Sequence, residues 1–112
     1  MDKVLQLIGL SIRAHHAVFG TDSVIMNLQK NKLHLIFISS DASKNLIDKI
    51  EKKAYFYHVK TSLKYDSETL KKITNKDTII IGIDDRGLSE AMLKELDNQE
   101  IKEESNLWKS KN

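Results

Sequence analysis

The chain has 112 residues, a formal net charge of +2 at pH 7 and no cysteine. This length fits one domain with a modest core, and the lack of cysteine excludes disulfides, thiolate zinc sites and cysteine nucleophiles. Residues 1–76 carry 13 Lys and Arg against 7 Asp and Glu, whereas residues 77–112 carry 5 against 9. A basic body of this kind favours a polyanionic partner, although lysine-rich helices also keep small domains soluble.

Two amphipathic helices joined by a short strand are predicted in the first third of the chain. Apolar residues at helical spacing predict helices over residues 2–14 and about residues 21–30. Between them, Ala17–Phe19 is an apolar run long enough for a very short strand. No apolar stretch approaches a membrane span and the N-terminus lacks a cleavage site, so we expect a soluble, cytoplasmic protein.

The junction between this strand and the second helix is the first candidate site. Gly20 permits a backbone conformation that a side chain would resist, and Thr21, Asp22 and Ser23 are N-cap or first-turn residues. A helix N-terminus exposes unpaired N–H groups and a partial positive charge, which suits a phosphate oxygen. A capped helix after an ordinary glycine turn is the alternative interpretation of the same residues.

The rest of the chain continues to alternate between buried strands and amphipathic helices, up to a charged C-terminal segment. This alternation predicts an α/β fold, a three-layer α-β-α sandwich with a small mixed four-stranded sheet. We expect one domain over residues 1–97 and a charged, flexible tail over residues 98–112 that contains Trp108. Further strands are predicted over residues 33–38, 58–63 and 78–83, and further helices after Asp41–Ser43, Asp66–Glu68 and Asp84–Asp85.

Four short sequence motifs resemble those of one known superfamily, in the same order and with the same spacing. They are Leu7–Leu10 with Arg13–Ala14, then Val18–Gly20, Ile38–Asn45 and Ile81–Leu88. Together they are similar to the kink-turn RNA-binding superfamily of ribosomal protein L-seven-Ae, and most of all to its bacterial YlxQ-type branch. The resemblance covers about residues 3–96. It implies a non-enzymatic, ribosome-associated protein without cofactor that binds structured RNA (ribosomal RNA or another kink-turn RNA) as a monomer.

The resemblance also implies which residues contact RNA. In the superfamily the contacts come from the start of the second helix, the turn after the first long strand and the loop before the last strand. Small hydroxyls and helix amides at such places approach phosphates while side chains read base edges. Carried over by position, the residues of these three segments are joined by Arg13 and His16, which precede the first strand. The predicted RNA-binding residues are therefore Arg13, His16, Gly20, Thr21, Asp22, Ser23, Ser40, Asp41, Ala42, Ile73, Thr74 and Asn75.

Some positions depart from the superfamily pattern and lower the expected affinity. His15 and His16 stand where Gly and Lys are usual, and Met26 stands where a Lys commonly faces RNA. Phosphate contacts provide much of the salt-dependent affinity, so binding should be weaker or directed to another RNA. A pH-dependent contact through His16 is a further expectation.

Two other functions are open at this point. A protein-interaction domain that kept the fold but lost specific RNA binding predicts an exposed apolar patch. A magnesium-dependent phosphotransfer domain predicts that Asp41, Asp84 and Asp85 converge within reach of one metal ion. RNA binding instead predicts a basic, hydroxyl-rich end where Gly20–Ser23 lies beside Ser40–Ala42.

Overall fold

The computed structural model of the chain describes residues 2–97, which form five helices and four strands. The predicted tail and Trp108 therefore lie outside the described residues. The predicted first helix is confirmed and begins after Asp2, whose carboxylate accepts a 2.8 Å hydrogen bond from the Val4 amide. In chain order the elements are α1 (Lys3–Arg13), β1 (Ala17–Phe19), α2 (Thr21–Gln29), β2 (Leu35–Ile38), α3 (Lys44–Phe56), β3 (Lys60–Ser62), α4 (Ser67–Thr74), β4 (Ile80–Ile83) and α5 (residues 86–97).

The four strands form one mixed sheet in the order β1-β4-β2-β3. β4 pairs antiparallel with both β1 and β2, whereas β2 and β3 are parallel. The register places Leu35 opposite Ile83 and Ile38 opposite Ile80. The carboxyl ends of β1, β2 and β3 therefore share one edge of the sheet with the amino end of β4, and the carboxyl end of β4 lies at the opposite edge.

Alternate residues of the buried strands pack against helices on opposite faces of the sheet. Leu35 and Phe37 of β2 join a cluster with α1, α4 and α5, whereas Ile36 and Ile38 join a cluster with α2 and α3. All four side chains are at most 1 % exposed. A strand buried on both faces explains the nearly continuous apolar sequence of β2. The predicted three-layer α-β-α sandwich is confirmed.

The central strand β4 contains a glycine where the layers approach closely. A Cβ atom at Gly82 would lie 2.8 Å from Leu33 Cδ1 and 2.9 Å from Val18 Cγ2, closer than carbon atoms pack. Gly82 pairs with Val18 on one side and with Ile36 on the other. The glycine therefore lets side chains from both flanking segments fill the space over β4.

Three helices end in the same way, although none of them has a glycine at the end. His15, Asn31 and His58 have φ values of 62°, 57° and 59° after α1, α2 and α3. After α3, the His58 amide donates to the Tyr55 carbonyl (3.1 Å) and the Val59 amide to the Ala54 carbonyl (2.8 Å). This is the hydrogen-bond pattern of a Schellman motif. It satisfies the last carbonyls and turns the chain directly toward the next strand.

The strands β2, β3 and β4 are each shorter in the structure than the sequence predicts. β2 begins at Leu35 instead of residue 33, and β4 begins at Ile80 instead of residue 78. Before β4, the Thr78 hydroxyl donates to the Ile80 carbonyl (2.9 Å), so a local side-chain turn replaces ladder pairing. Before β3, His58 takes the left-handed cap position of α3, so the strand begins only at Lys60.

Candidate RNA interface

Loops from three strands meet at one edge of the sheet beside the start of β4. The Gly20 amide donates to the Ile80 carbonyl (3.2 Å), and the Ser39 amide donates to the Ile79 carbonyl (2.8 Å). The Ser40 amide donates to the carbonyl of Tyr65, which follows β3 (2.9 Å). We call this surface the Gly20 edge: the β1–α2 junction, the β2–α3 loop, the β3–α4 loop and the α4–β4 loop. The structure thus brings together the three segments that the resemblance named.

Gly20 adopts a backbone conformation that only glycine readily takes. Its φ of 90° and ψ of 156° lie in a region essentially closed to residues with a Cβ. Outside Phe19, Gly20 and Thr21, no described atom lies within 4 Å of the place where a Cβ would stand. The predicted turn is therefore confirmed, and the space beside Gly20 opens outward from the fold.

The α2 helix begins directly after Gly20 without a side-chain cap. Thr21, Asp22 and Ser23 form its first turn, and no side chain among the described residues accepts a hydrogen bond at its N-terminus. Each of the other four helices has such a cap, in which a side-chain oxygen accepts a hydrogen bond from a backbone amide. The amides of Val4, Leu46, Thr69 and Leu88 donate to the side chains of Asp2 (2.8 Å), Ser43 (3.2 Å), Asp66 (2.9 Å) and Asp85 (2.8 Å), respectively. Residues 21–23 therefore do not cap α2, because Gly20 occupies the cap position; they form the first turn, which is the other role that the sequence predicts for them. The first-turn amides of α2 remain available to an external acceptor.

The β2–α3 loop is held by Asp41. Its carboxylate accepts hydrogen bonds from the Ser39 hydroxyl, the Ser67 hydroxyl (2.7 Å) and the Ser67 amide (3.0 Å). The hydrogen bond from Ser39, followed by those from Ser67, lowers the pKa of Asp41 from 3.8 to about 2. Asp41 thus ties the loop to the start of α4, while Ser40 is exposed and Ala42 half-buried. The predicted contact at Asp41 is placed at the Gly20 edge, but its oxygens already have partners.

The residues predicted in the loop before the last strand lie at the end of α4: Ile73 and Thr74 form its last turn, and Asn75 follows it. Thr74 is 6 % exposed and donates its hydroxyl to the Leu70 carbonyl (2.8 Å). Ile73 packs against the core cluster that Leu35 and Phe37 form with α1, α4 and α5. Asn75 is exposed with a left-handed φ of 54°. Of these three residues, only Asn75 lies in the α4–β4 loop and is exposed.

Lys76, which the sequence reasoning missed, lies beside Asn75 on the same surface. Its Nζ stands 4.5 Å from the centroid of the Phe19 ring, next to Gly20 in sequence. A cation over an aromatic face is attracted by the ring quadrupole. The signal in the sequence was a lysine directly after the selected residues 73–75, in the loop that precedes the last strand.

His16, one of the two residues predicted before the first strand, is not brought to Gly20. His16 contacts Asp84 (Nδ1 to Oδ1, 2.9 Å) and lies 3.9 Å from the Asp85 carboxylate, at the opposite edge of the sheet. Because β1 and β4 are antiparallel, the residue before β1 must face the residues after β4. Arg13 is exposed in the last turn of α1, with Nη1 3.4 Å from the place of a Cβ at Gly9.

The charge of the Gly20 edge differs from the predicted basic end. Its hydroxyls and its two lysines, Lys64 and Lys76, are accompanied by the carboxylates of Asp22, Asp41, Asp66 and Asp77, and Lys64 is paired with Asp2. The pKa of Asp66 is lowered by its hydrogen bonds from Thr69, and the Lys71 ammonium is 3.0 Å from Asp77. Amides, hydroxyls and carboxylates therefore outnumber free cations on this surface. Most of the lysines in residues 2–97 lie outside these loops.

The predicted convergence of acidic residues for magnesium chemistry is wrong. Asp41 follows β2 and Asp84 follows β4, and these two strands are antiparallel. The two carboxylates therefore lie at opposite edges of the sheet. Within residues 2–97 no group of three His, Cys, Asp or Glu side chains is arranged to hold a metal ion. None of the helices in this part of the chain is both long and apolar enough to cross a membrane.

Comparison with known proteins gives clear relatives, although no family model matches the chain. The chain is 28 % identical over 87 residues to the RNA-binding protein YlxQ of Enterococcus faecium, covering 78 % of this chain and 84 % of that protein. It is 27 % identical over 92 residues to the RNA-binding protein YlxQ of Bacillus subtilis, covering 81 % and 92 %. The chain is similar to both proteins over most of its length. The resemblance to the YlxQ-type branch is confirmed, and the relatives' names agree with the expectation of a non-enzyme.

Solved structures give the same fold. A Bacillus halodurans protein of unknown function superposes with a TM-score of 0.83 at 26 % identity, covering 87 % of this chain and 99 % of that one. The 15.5kD RNA binding protein of Giardia lamblia superposes with a TM-score of 0.74 at 16 % identity, covering 88 % and 85 %. The second likeness concerns the fold alone, and it confirms the architecture that the resemblance implied.

Proposed function

We propose that the chain is an RNA-binding protein and that the Gly20 edge is the surface that contacts RNA. The observation that carries this proposal is the α2 N-terminus, uncapped by any described side chain and preceded by a glycine that opens outward. Its relatives of known name are RNA-binding proteins. We further propose structured, kink-turn-like RNA as the target, ribosome association, and action as a cytoplasmic monomer. These finer points rest on the superfamily resemblance.

The first turn of α2 binds a phosphate in this proposal. Amides at a helix N-terminus point at an anion, and the helix dipole adds a partial positive charge. The hydroxyls of Thr21 and Ser23 stand in the same turn and supply further donors. Gly20 lets the RNA backbone approach closely, because a side chain there would project into the space that the RNA occupies.

The neighbouring groups read bases rather than phosphates. A carboxylate such as that of Asp22 repels phosphate but accepts hydrogen bonds from base amino groups, so it suits an exposed base edge. Ser40 and Asn75 offer a hydroxyl and an amide on the adjoining loops. Lys76 supplies a positive charge beside them. A kinked RNA presents both a close backbone and unstacked base edges to such a surface.

A gel-shift titration tests this proposal. A kink-turn RNA is compared, at one fixed salt concentration, with the same RNA whose tandem G·A pairs are replaced by Watson–Crick pairs. We expect a clear preference for the intact kink, and loss of that preference on Gly20→Val, with far-UV circular dichroism used to verify the fold. Equal and steeply salt-sensitive binding to both RNAs would contradict kink recognition. Absence of binding to either RNA would contradict the proposed target class.

A further inference from the structure

Two neighbouring aromatic side chains at the end of α3 are almost fully exposed. Tyr55 is 85 % and Phe56 is 72 % exposed. They occupy the last turn of the helix, at the end away from Ser43 and the Gly20 edge. Single apolar residues on a surface are common. Two adjacent large rings that leave most of their area in water indicate a binding surface.

The backbone beneath this aromatic pair is fixed, and one of the two rings packs against a neighbouring ring. The Schellman motif at His58 closes the helix directly behind it, through the hydrogen bonds from His58 to Tyr55 and from Val59 to Ala54. The Phe56 ring meets the Tyr57 ring edge to face, with centroids 4.9 Å apart and an interplanar angle of 83°. Tyr57 itself packs against the α2–α3 side of the core. The backbone beneath both rings is therefore fixed, and the Phe56 ring has a packing partner.

Lysines surround the aromatic pair. Lys52 lies three and four residues before the two rings, and therefore on the same side of the helix, while Lys49 and Lys53 extend the row. Lys60 begins β3 just beyond the helix end. Within residues 2–97 none of these four lysines forms an ion pair, whereas Lys3, Lys64, Lys71 and Lys72 all do. Two carboxylates, Asp48 and Glu51, share the helix.

We propose that Tyr55 and Phe56, with the lysines around them, form a second RNA surface on which unpaired bases stack. Exposed rings in a row of free cations are the combination that binds single strands, since every base has a π-face and every nucleotide a phosphate. Four lysines without an ion-pair partner in residues 2–97 complement the charge of a polyanion, and this favours RNA as the partner. The proposal rests on the proposed function only in taking RNA as the partner.

This stacking surface lies apart from the Gly20 edge. α3 begins at the β2–α3 loop of that edge and has 13 residues, which corresponds to a length of about 20 Å. A structured RNA bound at the Gly20 edge and an unpaired segment bound at Tyr55 and Phe56 therefore do not compete for the same side chains. The protein would hold a folded RNA element and a single-stranded flank together.

Fluorescence polarisation with two separate probes tests the inference at one salt concentration. One probe is an oligouridylate of about ten nucleotides, and the other is a blunt kink-turn hairpin without unpaired ends. The double variant Tyr55→Leu with Phe56→Leu keeps apolar bulk but removes the π-faces. We expect it to bind the oligouridylate about fivefold or more weakly than the wild type and to bind the hairpin unchanged.

The matched control is the double variant Tyr55→Phe with Phe56→Tyr, which retains both rings and should bind the oligouridylate as the wild type does. Both variants alter exposed side chains, and circular dichroism verifies their fold. Unchanged oligouridylate binding by the leucine variant would overturn the inference, and so would absence of oligouridylate binding by the wild type. Oligouridylate binding that is lost in the leucine variant supports the second surface even if the wild type ignores the hairpin, a result that would refute only the kink-turn proposal.

Discussion

The uncapped N-terminus of α2 predicts opposite effects of one substitution on stability and on RNA binding. Thr21→Glu adds a carboxylate to the first turn and leaves the strained backbone of Gly20 untouched. A negative charge at a helix N-terminus stabilises the helix, typically by about 0.3–1 kcal/mol. Asp22 already stands in the same turn, so we expect an increase at the low end of this range. The melting temperature should therefore hold or rise slightly.

RNA binding should respond in the opposite direction. If a phosphate sits at the first-turn amides, the new carboxylate lies about 5 Å from it, and the repulsion is about 1–3 kcal/mol for effective dielectric constants between those of water and a protein surface. This corresponds to a loss of affinity of about fivefold to hundredfold. A purely structural role for residues 21–23 predicts no such loss, because the substitution does not destabilise the helix.

Gly87→Glu is the matched control for net charge. Gly87 is exposed near the start of α5, at the opposite edge of the sheet, and a Cβ there would lie 3.5 Å from Asp85 Oδ2, an ordinary contact. It adds the same single negative charge to the first turn of another helix. We expect its affinity for the kink-turn hairpin to stay close to that of the wild type. Equal losses for both variants, or none for Thr21→Glu, would refute placement of the phosphate at α2.

Three further predictions concern the scaffold of the site. Asp41→Asn should lower the melting temperature at pH 7. Because the folded-state pKa of Asp41 is depressed from 3.8 to about 2, the difference in melting temperature from the wild type should shrink as the pH falls from about 4 to 2. A difference that does not change with pH would contradict this. Gly82→Ala should lower the free energy of unfolding by about 1–3 kcal/mol through overpacking, whereas Gly87→Ala should leave it unchanged or raise it by up to about 1 kcal/mol, as measured by urea denaturation. Tyr65→Phe should cost about 0.5–1.5 kcal/mol, because it removes the 2.9 Å hydrogen bond to the Asp2 carboxylate, and an unchanged urea midpoint would contradict that role.

The layers and the sheet could be predicted because hydrophobic patterning determines them. The apolar runs around Ile36 and Ile81 require burial on both faces, and the amphipathic segments between them supply the covering helices. The turn at Gly20 could also be predicted, since its sequence signals are local. Strand ends could not, because side-chain turns such as that of Thr78 compete with ladder pairing.

The composition of the site depended on strand direction, which the sequence alone did not provide. The antiparallel pairing of β4 separates His16 and Asp84 from Gly20 and Asp41, although all four precede or follow strands in the sequence. Two of the three hydrogen bonds to the Asp41 carboxylate come from Ser67, far along the chain. Lys76 was missed because its neighbour in space, the Phe19 ring, is 57 positions away.

The most direct test of the central claim is an amide chemical-shift titration of the protein with the kink-turn hairpin. The account predicts that the N–H resonances of Thr21, Asp22 and Ser23 are among the most strongly shifted, because these first-turn amides gain the phosphate as their hydrogen-bond acceptor. Saturable RNA binding that leaves those three resonances unmoved would contradict the claim that RNA is held at the N-terminus of α2.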